Sequence, residues 1–480
     1  MQGMTLYWHD YETFGADPRL DRPAQFAGLR TNTDLEVVDE PLVLYCRPAD
    51  DYLPHPEACL ITGITPQEAE ARGVSEPEFI ARVLDELGAP GTCGVGYNSL
   101  RFDDEVTRHT AWRNFFDPYA REWQQGCSRW DIIDMVRLTY ALRPDGVTWP
   151  RRDDGAPSFR LEDLAAANGL AQERAHDALS DVHATLDLAR LIRDRRPKLY
   201  DYVFGNRDKR SARAMLDLDG HKPVLHVSEK FPAELGCLSL VMPLAPHPVN
   251  GNAVLVFDLR RDPADLLALS PEDLHERLFT PSEDLPDDVE RIPIKAVQVN
   301  KCPVLAPVET LPDDRARDLD LDLARCRRHW KALHDDIEAV AAKVQAAYAL
   351  GEFQPNDDPE QDLYGGFVPD ADRDRCERLR QLDGAALAAD PPAFEDPRLR
   401  TLLFRYRARH HPETLTGEEA DAWAQWRENR LRFAPDGGLS LDDYALLLQH
   451  LAQGPAGRDP EKRRILEALT AWGQRLETSL

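Results

Sequence analysis

Between Leu6 and Gly15 the chain reads LYWHDYETFG, a run of apolar and aromatic residues into which Asp10 and Glu12 are set two positions apart. A strand turns alternate side chains to one face, so both carboxylates project together from a segment whose other residues favour burial. Such a pair repels itself unless a cation holds it. A hard ion such as magnesium prefers oxygen ligands, keeps several waters and takes one or two protein carboxylates. A third and a fourth carboxylate from elsewhere would complete a pair of such ions.

The 480 residues exceed a typical single core, so two or three domains are expected. No apolar run approaches the length of a membrane span and no basic segment leads into an apolar one at the amino terminus, which predicts a soluble, cytoplasmic protein without a membrane partner. The eight cysteines lack C-x-x-C spacing, which argues against structural zinc and fits reduced thiols. The formal charge of −27 is awkward for a protein that handles nucleic acid, where phosphates are met by Lys and Arg. Local positive lining suffices, however, and basic clusters occur at 190–198, 207–213, 325–331 and 405–409, each of which reads first as a solvated helix face. The excess of Asp, and of Arg over Lys, points to a GC-rich genome or a salt-rich cytoplasm.

Residues 1–196 alternate strand-like and helical runs, as an α/β domain does. LYWHDYE, LEVVDEPLVLYCRP and TCGVGYN read as strands, and helices are predicted over 105–115, 161–168 (with Gly169 as C-cap) and 178–193. Residues 197–350 are β-rich in KPVLHVS, CLSLVMPLA, NAVLVFDL and IPIKAVQVNKCPVL, which predicts a small barrel followed by a helix over 321–350. The stretch 351–374, rich in Pro, Asp and Gly, reads as a linker or long loop, and the remainder of 351–480 as helical.

Each candidate residue has an ordinary structural explanation when taken alone. Asp103 and Asp104 in GYNSLRFDDE could serve the helix dipole, His176 in AHDALSDVHAT could be a capping or core histidine, and Asp181 a solvated helix residue. Their order is more telling. D-x-E on a strand, Asp after a G-Y-N turn, and H-x-x-x-x-D at a helix start resemble the DEDD exonucleases of the histidine subtype. The resemblance implies an α/β ribonuclease H-like exonuclease domain at 1–196, in which Asp10, Glu12 and Asp181 hold two magnesium ions, with manganese as a possible substitute, and Asp103 completes the acidic set. His176 is implied as the general base, a role that its ordinary pKa near 6.5 permits at neutral pH.

The resemblance continues in LDRPAQFA, YCRPADDYLP, LITGITPQEA, RNFFDPYA, SFRLEDLAAANG, KPVLHVS, NKCPVLA and LLFRYRARHHPETL, and so reaches one bacterial branch of that family. Members of the branch degrade single-stranded DNA processively from the 3′ end, releasing 5′-mononucleotides, and serve repair, recombination and mismatch repair. It implies an SH3-like β-barrel domain with a helix at 197–350 and an all-α C-terminal domain at 351–480, in a monomer that encloses a groove for the strand. Glu12, Thr13 and Arg160 are implied at the terminal nucleotide, and Arg108, Tyr119, Trp123, Arg137, Asn252, Lys295 and Lys301 along the groove. Members also bind the acidic carboxyl-terminal tail of single-stranded DNA-binding protein on a basic ridge, parts of which match Arg143, Tyr202 and Lys222. The chain departs from that ridge at Leu311-Pro312-Asp313-Asp314, where a further arginine is expected and two acids would repel the tail. Two other functions compete: trimming of RNA by the same core, and a catalytically silent nucleic-acid-binding scaffold, which would have no need of His176.

Overall fold

The computed structural model describes residues 3–170, 177–287, 289–351, 356–435 and 437–480. Two compact units divide the chain, each discontinuous in sequence: Met1–Arg129 with Gln172–Thr185 and Pro355–Leu480, and Trp130–Ala171 with Leu186–Gln354.

The first unit is built on a sheet of β1 (Thr5–Thr13), β2 (Pro23–Thr31), β3 (Leu42–Tyr45), β4 (Thr92–Gly96) and β5 (Ser128–Asp131), in the order β3-β2-β1-β4-β5. β1 is central, antiparallel to β2 and parallel to β4. Its burial explains its continuous apolar and aromatic composition. β2 is buried along its whole length although it starts at a proline, the one strand position where a missing N–H costs little. Gly28 within it is required, because a Cβ there would lie 2.3 Å from the Tyr7 ring. The strand predicted from LEVVDEPLVLYCRP is shorter than expected: only Leu42–Tyr45 pairs as a strand, while Val37 and Val38 are about half exposed. Leu35, at φ 67°, turns the chain before them.

Helices Glu76–Leu87 and Asp103–Arg113 cover this sheet, placing Phe79, Ile80, Val83 and Val106 against Tyr7, Tyr11 and Phe26. A second core joins Phe14, Tyr52 and Leu53 to Leu431, Tyr444, Leu466, Leu469 and Trp472 of the carboxyl-terminal helices. The predicted helical tail is present, from Asp370–Leu379 to Pro460–Thr478. It completes the hydrophobic core of the amino-terminal residues.

A buried ion network fastens the same segments. Glu360 accepts from Arg22 at 2.5 Å, Arg409 at 2.6 Å and Arg405 at 3.1 Å, and Asp51 accepts from Arg409 and Arg430, each at 2.7 Å. Arg405, Arg409 and Arg430 also lie over the Trp426 ring, at 4.3 to 5.9 Å from its centre. The basic cluster at 405–409 is therefore no solvated helix face. Its arginines are held inside by carboxylates on other elements, from Glu419, which pairs with Arg407, to Glu360 and the far more distant Asp51. Alongside, Glu76 accepts from Arg113 at 2.8 Å and from Asn114 at 3.0 Å.

The second unit carries a five-stranded antiparallel sheet of β6 (Val224–Val227), β7 (Leu238–Pro246), β8 (Ala253–Asp258), β9 (Ile294–Gln298) and β10 (Leu305–Ala306), in the order β10-β6-β7-β8-β9. It curls, as the barrel expectation requires. Lys295 on β9 and His226 on β6, with two strands between them in that order, meet at 2.7 Å between Nζ and Nε2. The single helix predicted over 321–350 is two, Leu323–His334 and Ile337–Ala349, because Asp336 leaves helical geometry at φ −135° and ψ 39°. Among the described residues no helix is long and apolar enough to cross a membrane.

Burial alone would raise the pKa values of Asp51, Glu76 and Glu360, but their arginine neighbours outweigh it and hold all three below the ordinary carboxylate range, Glu76 at about 2. A depressed carboxylate adds stability that is complete above its unfolded pKa of about 4 and is lost as the pH falls through its folded value. The native state should therefore lose stability from about pH 5 towards pH 2. Glu360→Gln, which leaves Arg22, Arg405 and Arg409 underneutralised, should cost about 3–5 kcal/mol at neutral pH in urea denaturation. It should also flatten the acid limb of the stability profile.

Candidate active site

On β1 the alternation predicted from sequence is realised. Tyr11 turns to the apolar side, where its ring lies 4.9 Å from Phe26 and 6.2 Å from Phe79, while Asp10 and Glu12 project together to the other. Helix Ala178–Arg195 brings Asp181 to them in its first turn. Each of Asp10, Glu12 and Asp181 offers an oxygen, and the three oxygens lie within 4.8 Å of one another.

Asp103 joins the set through the backbone. As the first residue of helix Asp103–Arg113 it is buried, and its Oδ1 accepts from the Tyr11 N–H at 3.0 Å, which ties the helix end to β1 between the two acidic positions. Its neighbour Asp104 points elsewhere, to Arg121 at 2.5 Å and Arg129 at 2.7 Å. Burial would raise the Asp104 pKa, yet these arginines hold it far below the ordinary value. Of two adjacent acids with the same helix-dipole explanation, one is thus locked into an ion-pair cluster and the other faces the site.

For Asp10 and Glu12 the balance runs the other way. Burial, then Asp103, Glu12 and Asp181, push Asp10 well above its ordinary pKa. Burial, then Asp181, Asp103 and Asp177, raise Glu12 to about 8. An all-oxygen donor set whose members destabilise one another fits a hard divalent cation. Asp10, Glu12 and Asp181 are the residues that could hold it.

Two positioning residues escaped the sequence reading. Gln25 on β2, opposite Glu12 in register, accepts from the Ala178 N–H at 3.3 Å and so fixes the start of the helix that carries Asp181. Asp177 adds its charge beside Glu12. Neither has a motif to betray it. His176 lies outside the described residues.

The other predicted positions in the first unit differ in kind. Thr13 is buried, with its hydroxyl donating to the Gly15 carbonyl at 2.5 Å. Arg108 is buried and committed to Glu122 at 2.8 Å and Glu105 at 2.7 Å, so its charge is already neutralised. Its guanidinium lies 5.4 Å from the Tyr119 ring centre and 3.2 Å from the Tyr364 hydroxyl. Trp123, by contrast, is 67% exposed, an open ring face rather than a core residue. Sequence reasoning overlooked Tyr364 and Phe367. They sit in the loop that read as a linker, and Phe367 is 97% exposed there.

In the second unit Arg160 is exposed, at the entry to helix Leu161–Ala167, and Asn252, just before β8, and Lys301, in the turn after β9, are half-buried. Lys295 is engaged with His226, and Arg137 is buried beside Asp134 at 2.6 Å. Arg143 donates to the Thr310 carbonyl at 3.1 Å, Tyr202 donates to the Leu305 carbonyl at 3.0 Å, and Lys222 is exposed. Pro312 opens helix Asp313–Asp318, in which Arg315 donates to the Tyr140 and Ala141 carbonyls at 2.9 and 3.0 Å. An arginine therefore does follow directly on the stretch Leu311–Asp314 where one was expected, bonded to the end of the helix that precedes Arg143.

Family models match the chain in three consecutive segments: an exonuclease model over 7–189, an exonuclease I SH3-like domain over 207–350 and an exonuclease I C-terminal domain over 357–476. The exodeoxyribonuclease I of Escherichia coli strain K12 is 47% identical over 99% of this chain and 98% of its own length. The chain belongs to the exonuclease I family. Among solved structures, the moderately thermophilic exonuclease I of Methylocaldum szegediense is 51% identical with a TM-score of 0.94, covering 98% of this chain and 99% of its own. Escherichia coli exonuclease I in complex with a dA16 oligonucleotide is 47% identical with the same TM-score, covering 98% and 100%. A structure of SSB/exonuclease I with an inhibitor is 45% identical with a TM-score of 0.91, covering 99% and 100%. The fold thus comprises an α/β exonuclease part, an SH3-like part and a helical C-terminal part. Like other exonuclease I enzymes, the protein is a metal-dependent exonuclease that hydrolyses phosphodiesters.

Because the carboxylates repel one another, Asp10→Asn should stabilise the metal-free protein, by about 1 kcal/mol, while abolishing activity. Magnesium at a hundred times its Kd should stabilise the native chain by about 2.7 kcal/mol, and the variant by much less. Thermal denaturation in EDTA and in magnesium measures both.

Proposed function

We propose that the protein degrades single-stranded DNA processively from its 3′ end and releases 5′-mononucleotides. The observation that carries this reading is the convergence of Asp10, Glu12 and Asp181 oxygens within 4.8 Å on a family-matched exonuclease sheet. It is supported by the names of the relatives, exodeoxyribonucleases, and by the oligonucleotide complex of a structure 47% identical to this chain.

In this proposal Asp10, Glu12 and Asp181 hold two magnesium ions, or manganese in their place, and Asp103 completes the acidic set while orienting β1 through Tyr11. Bound ions of this kind acidify a water and stabilise the charge that develops on the attacking and leaving oxygens. His176 takes the proton from the attacking water. Thr13, together with the Glu12 backbone, frames the terminal nucleotide, and Arg160 contacts its phosphate. Trp123, Tyr119, Tyr364 and Phe367 give bases a surface on which to stack, with Arg108 fixing the tyrosines rather than meeting phosphate. From the second unit Arg137, Asn252, Lys295 and Lys301 complete the contacts to the strand.

The proposal keeps the three-part division at 1–196, 197–350 and 351–480, a monomer, and a cytoplasmic role in repair and recombination. It also assigns Arg143, Tyr202 and Lys222 to the tail of single-stranded DNA-binding protein, with Arg315 standing in for the arginine absent from Leu311-Pro312-Asp313-Asp314. Binding of a tail peptide that Arg143→Ala and Arg315→Ala both leave unchanged would remove that assignment.

The direct test is digestion of 5′-labelled single-stranded DNA, with and without magnesium, beside a duplex and an RNA of equal length. Shortening of the single-stranded DNA from its 3′ end, only with metal, is expected. A preference for RNA would replace the substrate, and no digestion at all would favour a silent scaffold. His176→Ala should lower the rate by a factor of roughly 100 to 10,000. Phe367→Ala should raise KM by about tenfold, the loss of one base-stacking contact, with little change in kcat.

A further inference from the structure

Between the end of β8 and the start of β9 the second unit surrounds a cavity of about 460 Å³ walled by Arg260, Arg261, Arg277, Arg291, Arg325 and His329. In a chain of formal charge −27, five guanidinium groups around one space stand out, for they outnumber the three carboxylates that also line it, Asp262, Asp265 and Glu290. Two of the five are neutralised on the spot, Arg261 by Glu290 and Arg277 by Asp265 at 2.8 Å. The other three form no ion pair among the described residues. Arg260 gives its terminal nitrogens to the Leu319 and Leu238 carbonyls at 3.0 and 2.8 Å, and Arg291 donates to the Leu278 carbonyl. The Nε atoms of Arg260 and Arg325 are buried with no hydrogen-bond partner among the described residues. Burial lowers the pKa of Arg260, and the charge of Arg325 lowers it further, although Asp258 opposes them.

Like charges held together at a half-enclosed wall cost free energy that an anion would recover, and a guanidinium fork matches the oxygens of a phosphate. The volume suits a small molecule. No Phe, Tyr or Trp lines the space, so there is no ring on which a base could stack, and the anionic group is what the cavity can recognise. We propose that this cavity binds a phosphate dianion, free or carried as a phosphomonoester, through Arg260, Arg291 and Arg325.

Isothermal titration of the full-length protein with sodium orthophosphate, and separately with thymidine 5′-monophosphate, tests this. EDTA keeps the carboxylate site free of metal, and sodium chloride matches the ionic strength. Saturable binding at one site is expected for at least one of the two, weakened tenfold or more by Arg325→Gln and unchanged by Asp10→Asn, with thymidine itself inert. Whichever binds more tightly identifies the source of the phosphate. Arg291→Gln, at an exposed position, carries the same expectation should Arg325→Gln fail to fold. Heats no larger than those of chloride, or affinity unchanged in the folded arginine variants, would overturn the proposal. So would binding that Asp10→Asn abolishes, or an acidic peptide that displaces phosphate from these arginines and binds more tightly.

Discussion

Glu360 and Asp51 are the hinge of the first unit's energetics. Between them they neutralise Arg22, Arg405, Arg409 and Arg430, drawn from β2's approach and from two helices near the carboxyl terminus. Buried charges are costly unless their geometry is nearly complete, so this network admits one arrangement of these segments and penalises others. The apolar contacts of Phe14, Tyr52 and Trp472 supply the bulk of the burial. They would tolerate sliding that the ion pairs do not.

That rigidity serves the carboxylates of β1, which are arranged against their own electrostatic preference. Asp10 and Glu12 sit on a central strand, Asp103 is tied to it through a backbone N–H, and Asp181 arrives on a helix whose start is held by Gln25. Each carboxylate is fixed by something other than its neighbours in the cluster. Repulsion therefore cannot relax the site, and the strain becomes affinity for a divalent cation. Asp104 shows the contrast: with Arg121 and Arg129 at hand, an acid one residue along the same helix is fully satisfied and chemically idle.

What could be read from sequence follows from how local each signal is. β1 was legible because two acids in an apolar strand have few innocent explanations, and the helix of Asp181 because its periodicity is intact. β2 was not, since Pro23, Gly28 and Arg30 mask a strand whose burial is set by partners on either side. The arginines at 405–409 read as surface because their partners, Asp51 and Glu360, are named only by the fold. Arg108 was placed along the groove without sight of its pairing, since of its two acceptors Glu105 lies one turn away on the same helix while Glu122 belongs to a separate element. Trp123, placed along the groove although a tryptophan is usually core, is left open by the structure. Arg315 lay just beyond the stretch where an arginine was expected, a shift that motif matching counts as absence.

The sharing of one core by Phe14 and Trp472 also bears on the order of events during synthesis. β1 and its acids precede by hundreds of residues the helices that cover Phe14, Tyr52 and Leu53, and are made before them. Until those helices follow, Arg22 has no Glu360 and Asp51 has no Arg430. The segment that carries the first carboxylates thus waits, uncovered and with unpaired charges beside it, for partners encoded much later in the chain.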